Sequence, residues 1–277
     1  MRYLTPSTLD DAFKLLTTHD LAIVAGGTDF FPSRQSHELC IDILDITRIV
    51  GLSGIGFTEN RWKIGAATSW TDIARADLPC AFRGLQMAAL EVGSLQIQNS
   101  GTIAGNLCNA SPAADGVPPL LTLEASVELG SARGFREVPL SDFITGVRQT
   151  LVASDEIVTA IYLPAPPDGA IGHFEKLGAR RHLAISITMT AAIIDLDARG
   201  RISCARIAAG AASAVAQRLE ALEKDLIGQN PKTVEVLPRH LAPLSPIDDV
   251  RGDADFRLEA VAEQCLRAIK EAGQRHG

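Results

Sequence analysis

The run Pro164-Ala165-Pro166-Pro167-Asp168-Gly169 limits what this chain can fold into more than any other feature. Its three prolines have no backbone N–H to donate and resist helix formation, and Gly169 adds freedom where the chain must turn. One element ends there and another begins beyond it. With 277 residues the chain can bury a large core and divide into two domains. Its 46% hydrophobic and 21% charged residues are those of a soluble globular protein. No apolar run reaches the length of a bilayer span. The start MRYLTPSTLDD lacks the basic and apolar regions of a signal peptide, so the cytoplasm is the expected location. A formal charge of −7 argues against nucleic acid as the main partner.

Ahead of the break, Ser7 or Thr8 is placed to cap a helix whose apolar face is Leu9, Ala12, Phe13 and Leu16. Leu21–Val24 reads as a short buried strand running into Gly26-Gly27, and residues 40–46 as another. GxGxxG is absent, and Pro32 hinders a long helix after the glycines, which disfavours a Rossmann domain. Glu59-Asn60 is a turn signal between strands at Ile55–Thr58 and 61–64. Thr68 or Ser69 caps a short helix carrying Thr71 and Ile73. Phe82, Leu85, Ala89 and Leu90 form the apolar side of a second helix, ended by Gly93. Further on come an apolar run at 120–123 with a helical turn after Pro118, a strand at 125–129, and a short helix at Leu140–Phe143 with Phe143 packed beneath it. Ile157, Thr159, Ile161 and Leu163 alternate with positions expected to be less buried, as in a strand with one covered face.

Beyond the break, residues 174–177 lead into the basic turn Arg180-Arg181-His182. Ile185, Ile187, Met189, Ala191 and Ile193 fall at period two, which favours a long strand, with helix the alternative for its first half. Gly200 turns the chain into a strand at 201–209. Val215, Leu219 and Leu222 suit the buried side of a helix, and Leu258, Val261, Ala262, Cys265 and Ile269 that of an amphipathic helix near the C-terminus.

Two small-residue stretches are candidates for chemistry. Residues 100–119, SGTIAGNLCNASPAADGVPP, read as a loop, and Ala25-Gly26-Gly27-Thr28-Asp29 follows the first buried strand. They are either two walls of one phosphate site or two ordinary tight turns. Successive exposed N–H groups in such turns make an anion-binding nest. Thr28 and Thr102 add hydroxyl donors, and Asn106 both donates and accepts. Such neutral contacts suit a dinucleotide diphosphate. Asp29 and Asp115 suit a sugar hydroxyl or support of the loop itself. Lys176, Arg180 and Arg181 either orient an anionic cofactor or form a solvated charged turn. Cys40, Cys80, Cys108, Cys204 and Cys265 are scattered without a CxxC pair and read as free, mostly buried thiols. None of the six histidines forms a metal motif, and Ser111 near Asp115 has no base or oxyanion site beside it.

In their order, GTIAGNLCNASPAAD (101–115), AGGTDF (25–30), IGAATSWTDI (64–73), FEKLGARRHLAIS (174–186) and DVRGDADFR (249–257) resemble the FAD-binding medium subunit of the molybdenum hydroxylases, the xanthine dehydrogenase and carbon monoxide dehydrogenase flavoprotein family. The resemblance implies an α+β fold. Its FAD-binding domain, of the vanillyl-alcohol oxidase or molybdopterin-dehydrogenase type, spans 1–167, with two α/β subdomains at about 1–52 and 53–167. A smaller C-terminal α+β domain spans 168–277. It further implies that Ala25, Gly26, Gly27, Thr28 and Asp29, with Thr102, Ile103, Ala104, Gly105 and Asn106, bind the diphosphate of noncovalent FAD. Asp115 then serves the ribityl or ribose side, Lys176 lies near the flavin, and Leu163 joins its apolar surroundings. Ala104 replaces a family glycine, which is harmless only where neither positive φ nor the closest approach is needed. Gln98 and Ser100 replace residues that are often basic in the family. Molybdopterin and 2Fe–2S clusters are expected in a large and a small partner subunit, in a heterotrimer that can be doubled. Electrons then pass from those clusters to NAD, a quinone or oxygen. A self-contained FAD oxidoreductase acting on a small substrate is the alternative.

Overall fold

The computed structural model describes residues 1–34, 41–180 and 184–274. Three sheets organise them. The first is a parallel sheet of β1 (Tyr3–Leu4), β2 (Leu21–Val24) and β3 (Asp42–Asp45), ordered β1-β3-β2. Helix α1 (Leu9–Thr18) joins β1 to β2, and the Thr8 hydroxyl caps it by accepting the Asp11 N–H. Ala12, Phe13 and Leu16 bury its apolar face with Leu44 of β3. The capping and burial agree with the spacing in the sequence.

The second sheet is antiparallel. It contains β4 (Ile55–Thr58), β5 (Arg61–Gly65), β6 (Ser126–Ser131), β7 (Gly134–Pro139) and β10 (Ile157–Pro164), ordered β4-β5-β10-β6-β7. Glu59 and Asn60 both take positive φ, 52° and 59°, as a two-residue hairpin needs. Between β5 and β6 run α2 (Trp70–Arg75), α3 (Arg83–Glu91), α4 (Leu95–Ser100), α5 (Ile103–Asn109) and α6 (Val117–Thr122). Helix α7 (Leu140–Phe143), with Phe143 fully buried, then leads into the small hairpin of β8 (Ile144–Gly146) and β9 (Gln149–Thr150).

Several sequence expectations change here. Residues 100–119 are not a loop, because they hold α5 and the start of α6. Small residues hide the helical period of α5, whose buried side is Ile103, Ala104 and Leu107. Pro118 and Pro119 lie in the first turn of α6, where a missing N–H costs little. Strand β10 has two covered faces, since Val158, Ala160 and Tyr162 are buried along with the alternate set. Its side chains enter two clusters, Ile157 the one under α1 and Val158, Ile161 and Leu163 the main core. Leu90 is 62% exposed and belongs to the outer side of α3.

Beyond Pro164 lies a second antiparallel sheet of β11 (Ile171–Gly178), β12 (Ser186–Leu196), β13 (Ile202–Gly210) and β14 (Gln217–Arg218), in that order. The period-two pattern ends as a strand, not a helix, though Ile185 itself precedes β12 and is 65% exposed. Helix α8 is confined to Glu220–Leu226, so Val215 is not on it and instead packs against the first unit's core. Helix α9 (Ala254–Ala272) covers the sheet with Val261, Cys265, Ala268 and Ile269 fully buried. Arg257 is also inside, 2% exposed, where it donates to the Ala211 carbonyl at 3.2 Å and to the Asp249 carboxylate at 2.7 Å. Within the motif DVRGDADFR, Arg257 is therefore a buried brace for this unit, while Val250 and Phe256 stay exposed. Among the free thiols, Cys80 and Cys108 are exposed, contrary to the expectation of burial, while Cys265 is buried. Cys40, Arg181 and His182 lie outside the described residues. Among the described residues no helix is long and apolar enough to cross a membrane.

Candidate cofactor site

The two glycine motifs meet. A Cβ built on Gly26 would lie 1.7 Å from the Ser100 carbonyl oxygen, so only glycine lets the loop after β2 touch the chain entering α5. Gly27 has φ +67°, and a side chain there would also strike the Phe31 ring. The loop then tightens, with the Phe31 N–H donating to the Gly27 carbonyl at 3.2 Å and a short 3-10 turn at Pro32–Arg34.

Together the motifs enclose a cleft of about 480 Å³. Ala25, Gly26, Gly27, Thr28 and Asp29 line one wall, and Thr102, Gly105 and Asn106 the other. Among the described residues, the N–H groups of Gly26, Gly27, Thr28 and Asp29 find no acceptor. Four consecutive unpartnered donors beside a positive-φ glycine are the groups that an anion nest requires.

The second wall works differently from the expectation. The Ile103 N–H donates to the Thr68 carbonyl at 3.1 Å, and that of Ala104 to the Ala66 carbonyl at 3.2 Å. Gly105 donates to the Thr102 hydroxyl at 3.1 Å, and Asn106 to the Thr102 carbonyl at 3.0 Å. Thr102 is the N-cap of α5, and these four donors are engaged within the chain. Ile103 and Ala104 point into the core, 0% and 4% exposed. The Ala104 methyl therefore fills space in a right-handed helix and does not crowd the cleft. What remains for a ligand on this wall is side-chain chemistry. The Asn106 Oδ1 is buried and has no hydrogen-bond partner.

Two arginines not singled out in the sequence also line the cleft, Arg34 and Arg148. Asp29 is the one acid among its described lining residues, so the lining carries a net positive charge in a chain whose formal charge is −7. The free N–H groups and the excess positive charge fit the diphosphate of a dinucleotide, whose oxygens only accept, while the orphaned Asn106 Oδ1, itself an acceptor, suits a hydroxyl donor on such a ligand.

Asp115 and Lys176 are brought to each other rather than to this cleft. The Lys176 ammonium donates to Asp115 Oδ2 at 2.7 Å and to the Glu91 carbonyl at 3.0 Å. The Ser186 hydroxyl donates to Asp115 Oδ1 at 2.5 Å. Both charged side chains are 9% exposed. Burial pushes the Asp115 carboxyl above the usual range, and the Lys176 charge and the two hydrogen bonds pull it back only in part. Lys176 also borders a second cavity of about 670 Å³ between α3 and β11, together with Met87, His173 and Arg180. Leu163 is fully buried in the core of the first unit, so the structure places it with packing. The sequence had no signal for the Asp115–Lys176 contact or for Arg148, because each depends on segments far apart in the chain.

The arrangement defines a class: an α+β protein of the vanillyl-alcohol oxidase or molybdopterin-dehydrogenase type, with two FAD-domain subdomains and a smaller C-terminal domain. Residues 1–166 match the FAD binding domain in molybdopterin dehydrogenase, and residues 173–272 match the CO dehydrogenase flavoprotein C-terminal domain. The chain belongs to the FAD-binding medium subunits of the molybdenum hydroxylase family, which are subunits of FAD-dependent oxidoreductases. It is 35% identical to the nicotinate dehydrogenase FAD-subunit of Eubacterium barkeri, over 85% of this chain and 82% of that one. It is 32% identical to the xanthine dehydrogenase FAD-binding subunit of Escherichia coli O157:H7, over 98% and 95%. A chain of carbon monoxide dehydrogenase from Hydrogenophaga pseudoflava superposes with a TM-score of 0.87 at 28% identity, covering 98% of this chain and 96% of that one.

Proposed function

We propose that this chain is the electron-transfer subunit of a cytoplasmic molybdenum hydroxylase and holds FAD noncovalently. The reading is carried by one observation: the two glycine motifs close on a single positively lined cleft with unpartnered donors. The nest of Gly26, Gly27, Thr28 and Asp29 holds the diphosphate, and the Asn106 Nδ2 amide donates to it from the second wall. Asp115 and Lys176, braced by Ser186, support the flavin end where the two proposed domains, 1–167 and 168–277, meet. Bound there, the flavin supplies the exchange between one-electron and two-electron carriers. Electrons enter from the 2Fe–2S clusters of a small subunit, fed by a large molybdopterin subunit, and leave to NAD, a quinone or oxygen. Support for partners comes from the relatives, whose names describe FAD subunits of dehydrogenases.

Purification of the intact complex from its host tests this. Released flavin after denaturation, in a one-to-one ratio with this chain, together with two further subunits in native mass spectra, is expected. An intact complex without flavin, or a fully active single chain, would overturn it.

A further inference from the structure

The engaged N–H groups at the start of α5 leave a question of charge. A diphosphate brings two negative charges, and the second wall offers it no free backbone donor among residues 103–106. Arg148 stands at the same cleft. It occupies the turn between β8 and β9 with φ 59°, and its own N–H donates to the Ala110 carbonyl at 2.9 Å. Its Nη1 donates to the Asn109 carbonyl at 3.0 Å and to the Asn109 side-chain oxygen. One edge of the guanidinium is thus fixed on the C-terminal end of α5, where helix carbonyls favour a cation. Nε and Nη2 make no hydrogen bond or ion pair with the described residues.

We propose that Arg148 supplies the second-wall charge for the cofactor's diphosphate, and so favours a dinucleotide over a flavin mononucleotide. The inference rests on the FAD reading above. A guanidinium held along one edge presents its remaining donors in a fixed fork, the geometry that suits phosphate oxygens. It differs from Lys176, whose charge is already taken by Asp115. A capping role for Arg148 at α5 accounts for the Asn109 bonds alone, and predicts an effect on stability without an effect on ligand charge.

The test is titration of flavin-free full-length chain, or of the flavin-free complex, with FAD, FMN and inorganic pyrophosphate as competitor, at several salt concentrations. Arg148→Gln is expected to weaken FAD about ten- to a hundredfold, the range for a lost hydrogen bond to a charged group. It should flatten the salt dependence and bring FAD and FMN affinities closer together. Arg148→Lys should keep the salt dependence and recover part of the affinity. Arg133→Gln, away from the cleft, should bind FAD as wild type does. Arg148→Gln that binds FAD with unchanged affinity and salt dependence overturns the inference while leaving the FAD reading intact. Wild type that takes up no FAD overturns both. Should Arg148→Gln fail to fold, Arg148→Lys decides: undiminished FAD affinity and pyrophosphate competition would show that the fork makes no contact.

Discussion

The Lys176 ammonium and the Asp115 carboxylate lie 2.7 Å apart, 61 residues distant in sequence. The contact ties the segment between α5 and α6 to strand β11, and Ser186 of β12 adds a third point. A buried pair of this kind adds little net stability over apolar residues, but breaking it leaves a charge without a partner. It joins chain segments from either side of the break at Pro164, at the end of the motif 101–115.

Removing either partner alone should be costly. Lys176→Met and Asp115→Asn are each expected to lose about 3–5 kcal/mol in denaturant unfolding. The double variant Asp115→Leu, Lys176→Met should be more stable than either single one, and a double-mutant cycle measures the coupling. Losses that simply add would show that the pair is not a unit. The pH dependence also has a definite sign. The raised carboxyl of Asp115 favours the folded state below the ordinary carboxylate range, and that contribution is lost as pH rises through its folded value. Lys176→Met should steepen this loss.

Gly26→Ala should damage the site through sterics alone. The new methyl would overlap the Ser100 carbonyl, which belongs to backbone and cannot swing away. A stability loss of about 1–3 kcal/mol is expected from the overpacking. Flavin absorbance of the purified protein should fall with it. Full flavin content at wild-type stability would mean that the two motifs need not touch.

Asn106→Ala separates binding from folding. Its Oδ1 has no partner within the chain, so removal should change the unfolding midpoint little. Loss of the Nδ2 donor to the diphosphate should lower FAD affinity about tenfold, the scale of one lost hydrogen bond to a charged group. Titration of flavin-free protein reads the second effect and thermal melting the first. A large stability loss with unchanged affinity would assign Asn106 to the scaffold.

The second unit should have its own acid limit. Arg251, with Arg257 behind it, holds the Asp249 carboxyl at about 2, down from 3.8. A depressed pKa stabilises the fold above the ordinary carboxylate value, and the contribution is lost as pH falls from about 4 to about 2. Asp249→Asn should lower the melting temperature at neutral pH and flatten its fall over that acid window. An unaltered acid limb would place the sensitivity elsewhere.

Much of this was written locally. Thr8 and Ser69 cap their helices, Glu59-Asn60 turns its hairpin, and the period of Ile187, Met189, Ala191 and Ile193 makes a strand. Each depends on neighbours within a few residues, and local chemistry suffices for that. The FAD motifs were equally visible as ordered strings. Helix α5 was not, because it is only seven residues long and a single large pair, Ile103 and Leu107, marks its buried side among small and turn-forming residues.

The sequence by itself determined the break at Pro164, the strand-and-glycine order of the first unit, and membership of the FAD-binding family. Tertiary structure decided which atoms at the cleft are free. It engaged the N–H groups of Ile103 to Asn106 with Ala66, Thr68 and Thr102, left those of Gly26 to Asp29 open, brought Arg148 to the second wall and joined Lys176 to Asp115. Motif spelling records which groups a segment carries. Whether a donor is available depends on the acceptors that packing brings beside it, and in the case of Ala66 and Thr68 these come from more than thirty residues away.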